Sequence, residues 1–517
     1  MMTAVKDFLQ LRRVFVTILF IGTFTLATRN VVDPDVWWHL KTGEYIAVHK
    51  SIPHVDIFSF TRAGQPWIAH EWLSDVLLYG IYRAASWGGL IAVFAAVVSA
   101  AFFFLYLRAV SVSRSRCSIY IAGLFALLAA FATAPLWGVR PQILSLLLTS
   151  LWLLLLERSE QNRSLLWWTL PLTLLWVNLH AGFALGLALL ALFLAGEWLE
   201  RILDWPAARE SSARLRTLAI TLFLDLMLVP LNPNGTKMYF YPFETLRSQA
   251  MQKYIAEWAS PDFHHAEYAP LLFLLLITIA LLAWCSVRPR PRDLLLLLVG
   301  TVSALTSIRL LPLFVLVAVP IAARSAQSIF VKRGLAQAST YPLNFEHPVP
   351  QRPLTPVWNA LILIAALLFS AINLFQVTRR QLRVEADRFP AGAVAYLATQ
   401  PNAGPIFNHY DWGGYLIWKL HPQAPVFIDG RADVYGEPLF NQFANTYQLK
   451  NNWQKTLAEW QIRAVLVPPS SALAQALRHE PNWSVRYEDP QSVLFTIFRQ
   501  TPQPPSPEAL SQAKSAI

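Results

Sequence analysis

Asp33-Pro34-Asp35 opens the stretch "DPDVWWHL" at residues 33–40, directly after the first long apolar run of the chain. Carboxylates at a membrane edge are costly unless they have a partner or a task. Two of them, one residue apart, can take a proton from an attacking hydroxyl or hold a divalent cation. His39 follows at once, and His70, Glu71 and Asp75 add further nitrogen and oxygen donors to the same segment, at spacings that match no zinc signature. Local structure offers a competing account. Asp-Pro-Asp can cap a helix that begins near Val36, with Trp37 and Trp38 as an interfacial aromatic belt behind it. Capping accounts for one acid more readily than for two.

Cations are placed to match. Arg140 in "GVRPQ" and Arg309 in "SIRLLP" stand at helix ends opposite the main basic loops. A lone arginine at that depth calls for an anion: either a phosphate or an ion pair with Asp33, Asp35 or Asp225. Asp225 lies inside the apolar run "TLFLDLMLVP", and Asn178 and His180 in "VNLHAGF" are polar groups at another helix end. The segment 231–268 supplies Lys237, Arg247, Glu257, Asp262, His264 and His265 among many aromatics, a composition suited to contact with lipid or stacked sugar. Further on, "YDWGGYLIWKLHPQAPVFIDGRADVYGE" (410–437) places Asp411 and Tyr415 at a glycine turn into a helix. It also places Asp429 and Arg431 at the C-terminal end of a strand, where α/β sheets commonly bind ligands. An Asp-Gly turn closed by an Asp–Arg pair is the plain alternative.

The elements that must position these groups are membrane helices. Of the 517 residues, 55% are hydrophobic and only 14% charged, against roughly 25% in soluble domains. Apolar runs near 13–31, 89–108, 117–137, 141–156, 164–179, 182–199, 215–231, 269–287, 293–307, 309–323 and 356–377 predict about eleven spans. Arginines concentrate on alternate loops, which makes that side cytoplasmic, with the N-terminus inside and the C-terminus outside. The net charge of +11 is thereby explained by topology and implies no nucleic-acid partner. The basic start before the first run, with no small-residue cleavage site, predicts an uncleaved helix. Cys117 and Cys285 imply no disulfide framework.

Residues 1–378 are therefore expected to form a polytopic unit with two elaborate outer loops, 32–88 and 230–268. Within the first loop, "HEWLSDVLLYGIYRAASWGG" predicts an amphipathic interfacial helix ending at Gly88-Gly89. Residues 325–355 read as a cytoplasmic linker. From 379 to 500, "PIFNHY", "APVFID", "RAVLVPP" and "SVLFTIF" read as strands, alternating with the helices "AGAVAYLAT", "GGYLIWKL", "WQKTLAEW" and "SALAQALRHE". That alternation predicts a small extracytoplasmic α/β domain. Residues 501–517, rich in Pro, Ser and Ala, read as disordered.

This layout resembles the GT-C superfamily of polytopic glycosyltransferases, which includes protein mannosyltransferases, lipid A aminoarabinose transferase and oligosaccharyltransferases. The likeness lies in one helix, a long first outer loop opening with Asp33 and Asp35, an interfacial helix, many further spans and an extracytoplasmic C-terminal domain. The opening also resembles a group of uncharacterised bacterial membrane proteins that begin "DPDxWWHLxTGE". "YDWGGY" with the later "IDGRAD" is similar to the Trp-Trp-Asp-Tyr-Gly acceptor motif of oligosaccharyltransferases, with a single Trp following the Asp here.

The resemblance implies a hexosyltransferase of the bacterial inner membrane. It would move a sugar from a polyprenyl-phosphate donor to an extracytoplasmic lipid, glycan or protein in cell-envelope assembly. Asp33 or Asp35 would be the catalytic base, and Asp33, Asp35 and His39 the candidate ligands of a divalent cation, Mg or Mn. Substrate would meet His39, Arg140, His180, Lys237, Arg247, Arg309, Asp411, Tyr415, Asp429 and Arg431. A non-catalytic envelope scaffold and a lipid or glycan transporter are the alternatives; a transporter would be expected to carry internal repeats, and none is evident.

Overall fold

A computed structural model describes residues 9–111, 118–206, 212–285, 288–333, 355–400, 404–450 and 452–497. Cys117, most of the 325–355 linker and the 501–517 tail lie outside the described residues. The chain forms two compact units, one of residues 1–55 and 66–385, the other of 56–65 and 386–517.

The first unit is helical: α1 (Leu11–Ala27), α2 (Val36–His49), α3 (Trp72–Ser111), α4 (Ser118–Thr133), α5 (Gln142–Arg158), α6 (Thr169–Leu179), α7 (Phe183–Ile202), α8 (Ser212–Leu228), α9 (Tyr241–Arg247), α10 (Gln249–Tyr254), α11 (Ala269–Trp284), α12 (Pro291–Thr306), α13 (Leu311–Lys332) and α14 (Thr355–Arg388). Among the described residues, six helical segments are long and apolar enough to cross a membrane: Trp72–Val110, Ser118–Leu136, Phe183–Ile202, Ala266–Trp284, Ile308–Lys332 and Thr355–Arg388. The other apolar runs form shorter helices. α1, α5 and α8 have 17 residues each, α12 has 16 and α6 has 11. Proline shortens some of them: Pro230 turns the end of α8 into a 3₁₀ turn, Val229–Leu231.

Two features of this unit bear on the site. α3 is bent at Ala85–Ser86, where Ser86 takes φ 50°, which separates its first turns from the apolar stretch that follows. The break precedes Gly88-Gly89, so the glycines are not themselves the hinge. α13 is the buried helix of the bundle, covered along most of Leu311–Gln327, whereas α14 exposes Trp358, Leu367, Phe369 and Phe375. Exposed large apolar groups on so long a helix are what contact with lipid requires. At the basic ends the arginines are paired. Arg290 reaches Glu160 (2.7 Å) and Glu200 (2.8 Å), and Arg292 reaches Glu160 (2.5 Å).

The second unit holds α15 (Ala391–Ala398), β1 (Ile406–Asn408), α16 (Gly413–Leu420), α17 (Ala432–Tyr447), α18 (Trp453–Glu459), β2 (Ala464–Val467), α19 (Ala472–Leu477), β3 (Trp483–Glu488) and β4 (Val493–Ile497). Its sheet runs β1-β2-β4-β3, with β1 parallel to β2 and the other pairs antiparallel. "APVFID" is no named strand; Val426 makes isolated bridges to Ser59 and Ile406, beside Pro425, which has no N–H to give a ladder. Residues 56–65 fold onto this unit. The Phe60 N–H donates to the Val426 carbonyl (3.2 Å) and the Thr61 hydroxyl to the Phe427 carbonyl (2.6 Å).

Candidate active site

Local geometry gives the two acids of residues 33–35 different tasks. Asp33 Oδ1 accepts the Asp35 N–H at 2.8 Å, an Asx turn that leads the chain into α2. Asp35 is the N-cap residue of α2, yet its side chain makes no capping bond; it accepts instead from the Trp38 indole N–H at 3.1 Å. Capping therefore accounts for Asp33 and leaves Asp35 over. Asp33 is further held by Arg140, whose Nε lies 2.5 Å from Oδ2. Arg140 also pairs with Glu257, whose other oxygen is 3.9 Å from Arg309. Desolvation, then the neighbouring Asp33 charge, pushes the Asp35 carboxyl up to about 7. Burial opposes the charge on Arg140, but Asp33 and Glu257 outweigh it and raise its pKa. Glu257 is kept below the usual carboxylate range: burial works against this, and Arg140 and Arg309 prevail.

Beside this cluster, three imidazoles gather on one carboxylate. The Nε2 atoms of His39, His70 and His180 lie 3.5, 3.0 and 3.4 Å from Glu71 oxygens. His39 Nδ1 faces Asp75 Oδ1 at 2.6 Å, so both of its ring nitrogens point at carboxylates. Burial alone would lower its pKa, but Asp75 and Glu71 hold it above the ordinary value. His180 differs. The Gly182 N–H donates to its Nδ1 at 2.9 Å, which leaves the ring proton on Nε2, toward Glu71, and burial pushes its pKa down to about 3. The Ser145 hydroxyl, fed by the Trp176 indole (2.8 Å), meets the same Nδ1 at 2.8 Å. Close packing makes these contacts possible: a Cβ on Gly43 of α2 would run into the Asp75 carbonyl of α3.

Asp33, Asp35 and His39 do not fit a divalent cation. Asp33 is paired with a guanidinium, Asp35 with an indole N–H, and both nitrogens of His39 with carboxylates. The Nε2 of His180 carries a proton and offers no lone pair. Among the described residues, no group of three or more His, Cys, Asp or Glu side chains is arranged to hold an ion.

With this geometry in view, comparison with known proteins adds the fold. The apo oligosaccharyltransferase of Archaeoglobus fulgidus matches at a TM-score of 0.51 and 11% identity, covering 88% of this chain and 69% of that one. The same enzyme tethered to an acceptor peptide containing the NVT sequon matches at 0.52 and 11%, over 89% and 70%. This chain shares the fold of that oligosaccharyltransferase. ArnT from Cupriavidus metallidurans bound to undecaprenyl phosphate aligns at 0.49 and 13%, over 94% and 98%. No protein-family model matches the sequence, and no curated protein does.

On this fold the remaining candidates fall in several places. Arg309 stacks over the Trp258 ring at 5.3 Å and is half-buried. Lys237 and Arg247 are exposed, and the ion pairs at Asp33 involve neither. Asp225 is buried and accepts from the Thr173 hydroxyl of α6 at 2.8 Å, a helix-to-helix bond. In the second unit, Asp411 is exposed, while Tyr415 is buried and stacked on Phe389 at 5.1 Å. Asp429 and Arg431 are also buried. Arg431 contacts Asp429 Oδ2 (2.6 Å) and Asp56 Oδ1 (2.8 Å), and Tyr435 donates to Asp429. An Asp-Gly turn closed by an Asp–Arg pair is the geometry of that stretch. Glu71 and Glu257 were named from sequence without their partners, and Asp56 was not singled out; its only signal was an acid set in otherwise apolar surroundings.

Proposed function

We propose that this protein transfers a sugar from a polyprenyl-phosphate donor to a hydroxyl or amide acceptor on the extracytoplasmic side of a bacterial inner membrane. The observation that carries the reading is the separation of roles at residues 33–35: Asp33 takes the ion pair with Arg140, and the buried Asp35 has its carboxyl raised to about 7 by desolvation and the Asp33 charge, against the weaker pull of His39 and Arg140. A base poised near ambient pH is suited to taking a proton in the transition state. The shared fold with an oligosaccharyltransferase supports the reaction class, and the long apolar helices support the setting.

For a hydroxyl acceptor, its oxygen attacks the anomeric carbon while Asp35 takes its proton. The bond from that carbon to the phosphate oxygen breaks, its electron pair leaves with the lipid phosphate, and one displacement inverts the anomeric centre. Developing charge on the phosphate needs a cation. Arg309 suits the task better than Arg140, because its nearest carboxylate oxygen is 3.9 Å away, on a Glu257 whose other oxygen Arg140 holds. The test is transfer from labelled polyprenyl-phosphate sugars in membranes holding the native protein, Asp35→Asn or Asp33→Asn at equal abundance. Loss of roughly 100-fold or more in Asp35→Asn supports the base. Native-like rates in both variants would remove it.

A further inference from the structure

Asp33 and Glu257 come from segments more than two hundred residues apart, yet both close on one side chain. Arg140 brings Nε to Asp33 Oδ2 at 2.5 Å and Nη1 to Glu257, while the second oxygen of Asp33 is taken by the Asp35 N–H at 2.8 Å. Two facing carboxylates are the usual means of holding a hard divalent cation through oxygen. Here the gap between them is filled by a planar, permanently charged guanidinium that hydrogen-bonds Glu257 through Nη1 and pairs by charge with Asp33. With Arg309 and an ionised Asp35 the group sums to three negative and two positive charges. Admitting a divalent ion would mean expelling Arg140 from both acids and leaving excess positive charge in a largely enclosed position.

We propose that Arg140 is the resident cation of this site, standing between Asp33 and Glu257 where an oxygen-ligated divalent ion would have to sit, and that the protein works without such an ion. The inference deepens the glycosyltransfer reading but depends on it only for its kinetic arm. Arg140 is a positioning residue here. It fixes Asp33, which through the Asx turn fixes the start of α2 and hence Asp35.

Saturable Mn²⁺ binding to the full-length protein in detergent, followed by electron paramagnetic resonance, is the direct test. The native protein and Arg140→Lys should show no saturable site up to about 1 mM, the weak end of protein oxygen sites. Arg140→Ala, which frees both acids, should gain a site at least tenfold tighter than any in the native protein, and Asp33→Asn added to it should abolish that site. A saturable site in the native protein that Asp33→Asn or Glu257→Gln removes would overturn the proposal whether or not Arg140→Ala folds. So would a folded Arg140→Ala with no gain. In the kinetic arm, native transfer should be unchanged by EDTA, and loss of transfer on chelation counts against the proposal. If no sugar donor is consumed at all while the binding results hold, the glycosyltransfer reading fails and the resident-cation assignment stands.

Discussion

Asp35 owes its proposed task to what its neighbours leave undone. Asp33 takes the turn and the guanidinium, Asp35 accepts the Trp38 indole, and desolvation raises its carboxyl to about 7 against the weaker pull of His39 and Arg140. A base with that value works ionised, so kcat/KM for transfer should fall about tenfold per pH unit below 7 and level off above it. A flat profile between pH 5 and 8 would contradict this. The sign of the stability effect follows. A carboxyl raised from its ordinary value destabilises the fold as pH climbs from the ordinary range toward 7, and fully above it. Asp35→Asn should therefore melt higher than the native protein at pH 8 while losing transfer, with the difference vanishing near pH 4. Arg309→Gln should raise KM for the lipid donor roughly tenfold to a hundredfold, the worth of a charge-assisted bond, with a smaller effect on the acceptor.

Elements place these side chains, and their contacts can be broken singly. Gly43 lets α2 approach α3 closely enough for His39 to reach Asp75. Gly43→Leu should cost about 1–3 kcal/mol or more and lower the melting temperature, because the helices must separate. In the second unit, Arg431 is buried between Asp56 and Asp429. Asp56→Ala leaves that guanidinium half-compensated and should cost about 3–5 kcal/mol, seen as faster proteolysis within 386–497 than in the helical unit. The helices of this unit could be read from their apolar spacing. α17 could not, because Gly436 and Pro438 interrupt its pattern, nor β3, whose "WSVRYE" is largely exposed and lacks a buried alternating face. Long-range partners were illegible for a different reason: nothing local links Glu257 to Arg140 or Asp56 to Arg431. The acid pair at 33–35, by contrast, announced itself because charge beside an apolar run is rare.

At the scale of the molecule, composition alone indicated a polytopic membrane protein. The shared oligosaccharyltransferase fold is consistent with that, and among the described residues six helical segments are long and apolar enough for a full span. Shorter helices broken by proline blur where one span ends, which apolar runs cannot resolve. Orientation rests on the arginine-rich loops. With Cys117 and Cys285 replaced, His264→Cys should react with a membrane-impermeant thiol reagent in intact cells, and Arg163→Cys only after permeabilisation. The reverse pattern would place Asp33 and Asp35 on the cytoplasmic side. Sugar transfer from labelled polyprenyl-phosphate donors, compared between native protein and Asp35→Asn at equal abundance and pH 8, decides the role of Asp35. The native protein should transfer sugar, and the folded variant should not. Undiminished transfer by folded Asp35→Asn would contradict that role.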